Sequence, residues 1–216
     1  MLIHPWDAAL DDSEWQTWLA SHDFGQLCVN GPGGEPPFVQ PLHFAYDPER
    51  GDHGEVVTHL ARPNPIWAAI SASPQVTLSV VDDYTFIPGP WHAPEGAPPE
   101  HGTPTSFYAA VQLRCVAHVI DDPDAKAALL HRQLAHFQPA GDHARVAPGA
   151  EPYGRMLPGI RGLRLEVTDV RAKFKYGGNK PRAMRRAVAD RLASRSAPGD
   201  PAARAHQLRR LAATDS

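Results

Sequence analysis

The chain has 216 residues and a formal net charge of −3, and 42% of its residues are hydrophobic. This length suffices for one domain with a sizeable core, and the composition is ordinary for a globular protein. No run of apolar residues approaches the roughly 18 that a membrane span needs, which argues against a membrane protein.

The N-terminus and the cysteines bear on location. The first residues lack a basic region followed by an apolar stretch, so we expect no signal peptide. Cys28 and Cys115 lie far apart in apolar, strand-like runs, which predicts two reduced core thiols rather than a disulfide. We therefore expect a cytoplasmic protein without a membrane partner.

Charge is concentrated near the C-terminus. Residues 171–210 contain twelve lysines and arginines but only two acidic residues, so this segment carries +10 and the rest of the chain −13. Such asymmetry indicates a local anion site, for a small phosphate or for nucleic acid, unless the charges only face solvent.

The first half of the chain predicts one helix followed by strands. The helix is expected over residues 12–21, because Trp15, Trp18 and Leu19 fall on one face. Alternating apolar residues and turn sequences predict strands at 24–30, 38–46, 55–60, 75–81 and 84–87, with a short helix between residues 63 and 72.

The second half begins with a long loop, at residues 88–104, which are rich in Pro and Gly. A loop of this length in a compact domain is usually functional or mobile. The pattern then predicts a strand at 106–120, a helix to about 138, a strand at 160–168, a loop at 173–179 and a basic helix at 181–195. We expect a frayed tail beyond residue 197, with room for one more helical stretch.

These elements predict an α+β fold. With so many strands in one domain, a barrel is favoured over an open sheet, because closure removes exposed edges. We expect one domain over residues 1–195 and a basic, mobile tail over 196–216. Neither a dinucleotide-binding glycine motif nor a P-loop is present in the sequence.

The most informative stretch is residues 58–67, which read THLARPNPIW. A strand ends, a turn follows and a helix starts with prolines in its first turn, where free N–H groups attract anions. Arg62 adds a forked cation suited to phosphate, and Thr58, His59 and Asn64 add further donors. The pattern predicts a phosphate site, with a capped helix beside a surface arginine as the alternative.

Two further stretches could contact a ligand. Residues 173–180 read KFKYGGNK, in which two lysines flank an aromatic ring and two glycines allow close approach. Aromatic and hydroxyl side chains at 84–91 and 105–108 could line a planar heterocycle. A solvated loop and simple core packing are the respective alternatives.

The twelve histidines do not form a metal motif. They are scattered, and His131 and His136 stand five apart, so a helix does not align them. We predict no metal site. The sequence also lacks a nucleophile-elbow motif, and we assign no catalytic residue.

These stretches, in this order, resemble the PaiB-type FMN-binding negative transcriptional regulators. That family reads roughly HxARxNPxW, then an aromatic-IxPxW segment, PTWNY and KxKLSQN before a basic helix. Here the segments read HLARPNPIW at 59–67, FIPGPW at 86–91, PTSFY at 104–108 and KFKYGGN at 173–179. The third and fourth segments depart from the family at residues 106–107 and 176–178.

The resemblance implies an FMN-binding split β-barrel of Greek-key type with flanking helices, related to pyridoxamine-phosphate oxidases. It implies a homodimer with FMN at the subunit interface. The residues expected to bind this cofactor are Thr58, His59, Arg62, Asn64, Thr105, Tyr108, Lys173, Lys175 and Asn179.

Three functions remain open at this point. The first is a flavin-binding regulator that senses flavin or redox state and contacts DNA weakly or through a partner protein. The second is a flavin-dependent oxidoreductase acting on an unknown small molecule. The third is a split barrel that has lost its cofactor.

Overall fold

The computed structural model of the protein describes residues 1–213. Six α-helices occur in that range: α1 Asp12–Ala20, α2 Ile66–Ala72, α3 Pro123–Phe137, α4 Tyr153–Met156, α5 Arg182–Arg195 and α6 Asp200–Ala213. The strands are β1 Phe24–Val29, β2 Phe38–His43, β3 Ala45–Asp47, β4 Glu55–Ala61, β5 Gln75–Ile87, β6 Thr105–Ile120 and β7 Ile160–Lys175.

The seven strands form one sheet in the order β2-β1-β5-β6-β7-β4-β3. The pairs β1–β2, β1–β5, β3–β4 and β4–β7 are antiparallel. Along β1 the burial alternates, because successive side chains of a strand point to opposite faces of the sheet. The predicted α+β class is confirmed.

The chain divides into two compact units. The first comprises Met1–Trp15, Val81–Val111 and the chain from Arg171 onward, and the second comprises Gln16–Val80 and Gln112–Val170. The first unit buries Phe107, Phe174 and Tyr176 completely or nearly so. The core of the second unit consists mainly of aliphatic strand residues and one face of α2: Leu27, Val57, Ile66, Ile70, Leu78, Leu113, Leu163 and Leu165.

Three elements differ from the sequence-based expectation. Strand β5 runs unbroken through Asp83, which takes a left-handed conformation at φ 55°, where two separate strands were predicted. Strand β7 continues to Lys175, so the predicted loop starts three residues later than expected. Residues 38–46 form two strands rather than one.

The C-terminal segment contains the additional helical stretch for which the sequence left room, and this helix is packed rather than frayed. Residues 200–213 form α6, and its side chains at Ala203, His206, Gln207 and Leu211 are buried in the first unit. Hydrophobic burial of this face stabilises a helix whose arginines make the sequence look like a solvated tail.

No helix in residues 1–213 is long and apolar enough to cross a membrane. The same part of the chain contains no group of three or more histidine, cysteine or acidic side chains arranged to hold a metal ion.

Asp200 fixes the turn between α5 and α6. Its side chain is 1% exposed and accepts hydrogen bonds from the Thr85 hydroxyl at 2.6 Å and from Nε of Arg195 at 2.8 Å. The backbone N–H of Ala197 donates a third bond to it at 2.9 Å. These bonds, first that from Arg195, lower the pKa of Asp200 to about 2.

We predict that Asp200→Asn lowers the free energy of unfolding by about 2–3 kcal/mol at pH 7. The pKa of Asp200 is depressed in the folded state, so its contribution is present above the unfolded pKa near 4 and disappears as the pH falls towards 2. Urea denaturation should therefore show a gap between wild type and variant that closes between pH 5 and pH 2. Asp190→Asn, on the exposed face of α5, is the matched control. A gap that is constant across this range would contradict the prediction.

Candidate functional site

The first unit contains a cavity of about 280 Å³. Its walls come from the N-terminal segment, the loop after β5, the start of β6 and the turn after β7. Lys175, Lys180 and Asn179 contribute cationic and amide groups on one side. Trp6 and Phe107 contribute aromatic surface. The cavity therefore combines donors for an anion with flat apolar surface.

The N-terminal part of the cavity wall is held in place by Arg210, near the C-terminus. Arg210 on α6 is 6% exposed, and its guanidinium donates to the carbonyl oxygen of Trp6 at 3.1 Å and to that of Ala8. It also bonds the Glu14 carboxylate at 3.0 Å. Lys173 adds a bond from Nζ to the Leu2 carbonyl at 3.0 Å. Trp6 and Asp7 thereby reach the cavity.

Gly178, in the turn after β7, allows the N-terminal segment to pack closely against that turn. A β-carbon at Gly178 would lie 2.2 Å from the carbonyl oxygen of Trp6, so only glycine allows this approach. The close approach predicted from the sequence is present, but the neighbouring group is backbone of the N-terminal segment.

The loop at residues 88–104 contains two short 3-10 helices, Gly89–His92 and Pro99–His101. Its two arms meet at Gly89 and Gly102, where a β-carbon on Gly102 would collide with the Gly89 carbonyl. This approach brings the Thr103 carbonyl to 3.2 Å from Nδ1 of His92, a buried side chain that lines the cavity.

Two titratable groups in this cavity have shifted pKa values. Burial raises the pKa of Asp7, although Lys173, His4, Lys175 and Arg210 oppose the shift. Burial lowers the pKa of His92, which keeps its imidazole neutral at pH 7.

Five of the predicted cofactor-binding residues belong to the first unit. Thr105, Lys175 and Asn179 line the cavity. The Tyr108 ring lies 5.7 Å from Nζ of both Lys173 and Lys175, so the two lysines flank this ring. Lys173 itself is 8% exposed, and its ammonium group donates a hydrogen bond to the Leu2 carbonyl.

The other four predicted residues belong to the second unit, where Thr58 and Arg62 have internal partners. Thr58 is fully buried and donates its hydroxyl to the His43 carbonyl at 2.8 Å. Arg62 is exposed, as expected, and bonds the Asp121 carboxylate at 2.9 Å and the Pro158 carbonyl at 2.8 Å.

His59 and Asn64 also have partners within the second unit. Nδ1 of His59 lies 2.7 Å from Oε1 of Gln133. The side-chain oxygen Oδ1 of Asn64 accepts a hydrogen bond from the backbone N–H of Ile66 at 3.0 Å, so it caps the first turn of α2. Its amide donates to Gln40 at 2.9 Å. The predicted helix start is therefore present, with its donors engaged by protein groups.

Sequence reasoning missed several cavity residues: His4, Trp6, Asp7, His92 and Lys180. Lys180 is the last residue of the 173–180 stretch, and His92 directly follows the 84–91 stretch, so an available signal was present for both. The N-terminal residues carried no such signal, because a contact made by Arg210 some two hundred residues later brings them to the cavity.

The fold and this cavity define an α+β protein with a site suited to a phosphorylated aromatic ligand. Residues 1–169 match the family described as "Putative FMN-binding domain". The chain belongs to this family, so the recognised family, the FMN-binding split-barrel fold and the predicted cofactor, FMN, are confirmed.

One curated relative is the "Protease synthase and sporulation protein PAI 2" of Bacillus subtilis (strain 168). It is 23% identical over 182 residues, which cover 83% of each chain.

Solved structures share the fold. The flavocytochrome Anf3 of Azotobacter vinelandii superposes with a TM-score of 0.60 at 19% identity, covering 80% of this chain and 71% of that one. The structure of a putative 5-nitroimidazole antibiotic resistance protein from Bacteroides thetaiotaomicron VPI-5482 superposes with a TM-score of 0.57 at 13% identity. The match covers 77% of this chain and 85% of that one.

The residues of the cavity fit FMN chemically. Lys175 and Lys180 can neutralise a phosphate, while Thr105 and Asn179 offer hydrogen bonds. Phe107 and Trp6 offer apolar surface to a flavin ring. FMN, when bound, supplies one- or two-electron transfer, and these side chains would bind and orient it.

Proposed function

We propose that this chain binds FMN through the cavity of the first unit and works as a flavin-responsive regulator of the PaiB type. The observation that supports FMN binding is a group of hydrogen-bond donors that line one cavity: Lys175, Lys180, Thr105 and Asn179. Arg62 of the second unit is the alternative phosphate-binding residue, because its exposed guanidinium could exchange Asp121 for phosphate. An exposed ion pair of this kind stabilises the fold by only about 0–1 kcal/mol.

A second candidate is a flavin-dependent oxidoreductase. The observation that favours it is the presence of two proton-binding groups, His92 and Asp7, in the wall of the same cavity. Reduction of a small molecule requires a proton as well as electrons, and groups of this kind can supply or accept it. Consumption of NAD(P)H by the FMN-loaded protein would favour this candidate over the regulator.

We further propose a cytoplasmic homodimer, as the sequence resemblance implies. Strand β5 supports it, because Val81, Tyr84 and Phe86 are 61%, 57% and 50% exposed in the first unit. Apolar and aromatic side chains gathered on one exposed strand are typical of the centre of a protein interface.

FMN affinity tests the proposed function. We predict that Lys175→Ala raises the dissociation constant of FMN roughly 10–150-fold, which corresponds to about 1.5–3 kcal/mol for a hydrogen bond to a charged group. If Arg62 binds the phosphate instead, the same range is expected for Arg62→Ala. Quenching of flavin fluorescence during titration of the apoprotein measures both, and Arg186→Ala, exposed on α5, serves as control. Unchanged affinity in both variants, with intact folding, would reject this assignment of the phosphate.

We predict that the protein is a homodimer in solution. Light scattering at micromolar concentration should give twice the chain mass of 23.5 kDa. Phe86→Glu should shift the protein to monomer and weaken FMN, because a charge would be buried in the apolar interface. Leu208→Glu, at a partly exposed position of α6, should leave both unchanged. A monomeric wild type at this concentration would refute the dimer.

For DNA, we predict only weak and sequence-independent binding by the isolated protein. Arg185 of the basic helix α5 is 6% exposed, and Arg195 and Arg209 are bonded to Asp200 and Glu14. Few cations therefore remain for a phosphate backbone. Binding should fall steeply with salt, because phosphate contacts release counterions. A discrete footprint at physiological salt without a partner protein would instead establish direct regulation.

A further inference from the structure

His92 occupies a defined position in the cavity wall. It belongs to the 3-10 helix Gly89–His92, and its side chain is 6% exposed. The Phe107 ring lies 6.1 Å from the imidazole, centroid to centroid. The close approach of Gly89 and Gly102 fixes the loop around it, so both the position and the orientation of the imidazole are determined by packing.

The hydrogen bond to Thr103 selects one tautomer of this imidazole. A backbone carbonyl can only accept, so Nδ1 must carry the hydrogen that spans the 3.2 Å to the Thr103 oxygen. In the neutral ring Nε2 then has a lone pair and no hydrogen. Within residues 1–213, Nε2 has no hydrogen-bond partner, so it can accept a bond from a molecule in the cavity that His92 lines.

The surroundings of His92 favour this neutral form. Burial has the largest effect and lowers its pKa, and the nearby charge of Lys180 lowers it further, against a smaller opposing effect of the Thr103 bond. The titratable side chains that line the cavity are His4 and Asp7 from the N-terminal segment, Lys175 from β7 and Lys180 from the turn that follows it. Lysines therefore supply positive charge there, while His92 supplies an acceptor.

We propose that His92 determines ligand specificity by accepting a hydrogen bond from an imide or amide N–H of the ligand, while Lys175 and Lys180 bind its negative charge. The ligand class is thus an anion that also carries an N–H donor. This inference rests on the proposed function, because FMN has both features, a phosphate and the imide N3–H of its ring. A buried acceptor left without its donor is costly, which is the basis of selectivity.

A flavin analogue tests the inference directly. 3-Methyl-FMN keeps the phosphate and the ring but lacks the N3–H donor. The wild-type protein should bind FMN at least about tenfold more tightly than 3-methyl-FMN, as measured by fluorescence quenching of each flavin. In His92→Phe, which keeps a ring against Phe107, the two flavins should bind equally. His92→Gln retains an acceptor oxygen and should restore part of the preference for FMN.

The pH dependence gives a second readout. Protonation converts Nε2 from acceptor to donor, so FMN affinity should fall as the pH drops below about 6.5, the ordinary histidine pKa. The fall should be shallower in His92→Phe, which keeps only the part caused by protonation of the FMN phosphate. His101→Gln, in the exposed part of the same loop, should behave as wild type. Affinity that rises on acidification through His92 would place the phosphate beside it and overturn the inference.

The outcomes separate the two proposals. FMN binding without preference over 3-methyl-FMN overturns the role of His92 and leaves the proposed function standing. A wild-type protein that binds neither flavin overturns the proposed function, and the inference with it.

Discussion

The buried guanidinium of Arg210 is the contact on which the cavity of the first unit depends. It joins the two ends of the chain by bonding the backbone of the N-terminal segment and the carboxylate of Glu14. A buried cation is expensive unless its partners are in place, so this side chain stabilises the arrangement in which Trp6 and Asp7 form the cavity wall. The helix α6 thus shapes the cavity through the N-terminal segment that it positions, although the cavity lining within residues 1–213 includes no side chain of α6 itself.

Much of the fold could be predicted, and the failures have physical causes. Strands β1 and β4 were located to within a residue or so from local signals: burial alternates along β1, whereas β4 is a short, mostly buried run bounded by turn residues. The end of β7 was missed because Lys173 and Lys175 look like loop residues. Their charges are accommodated by tertiary contacts, the Leu2 carbonyl and the Tyr108 ring, which no local pattern reveals.

Only those residues of the candidate site that lie in a distinctive stretch of sequence could be predicted. Thr105, Lys175 and Asn179 lie in segments whose composition suggested a ligand, and all three line one cavity. Another part of the wall comes from His4, Trp6 and Asp7, whose sequence has no distinguishing feature. In the second unit the start of α2 was located correctly, but sequence could not show that Asn64 already caps its first turn. Whether a donor is available to a ligand depends on the protein groups around it, and those are settled by the fold.

The charge of the C-terminal segment illustrates the same principle. Its +10 suggested an anion partner, and most of that charge sits on arginines. Arg195, Arg209 and Arg210 bond carboxylates of the first unit: Arg195 joins α5 to α6 through Asp200, and the other two join α6 to Glu14 of α1. The lysines at 175 and 180 instead line a cavity. A field focused on one concave site favours a small anion, whereas an extended polyanion needs a row of exposed cations. The way these charges are distributed therefore favours flavin phosphate over nucleic acid as the anion that the segment serves.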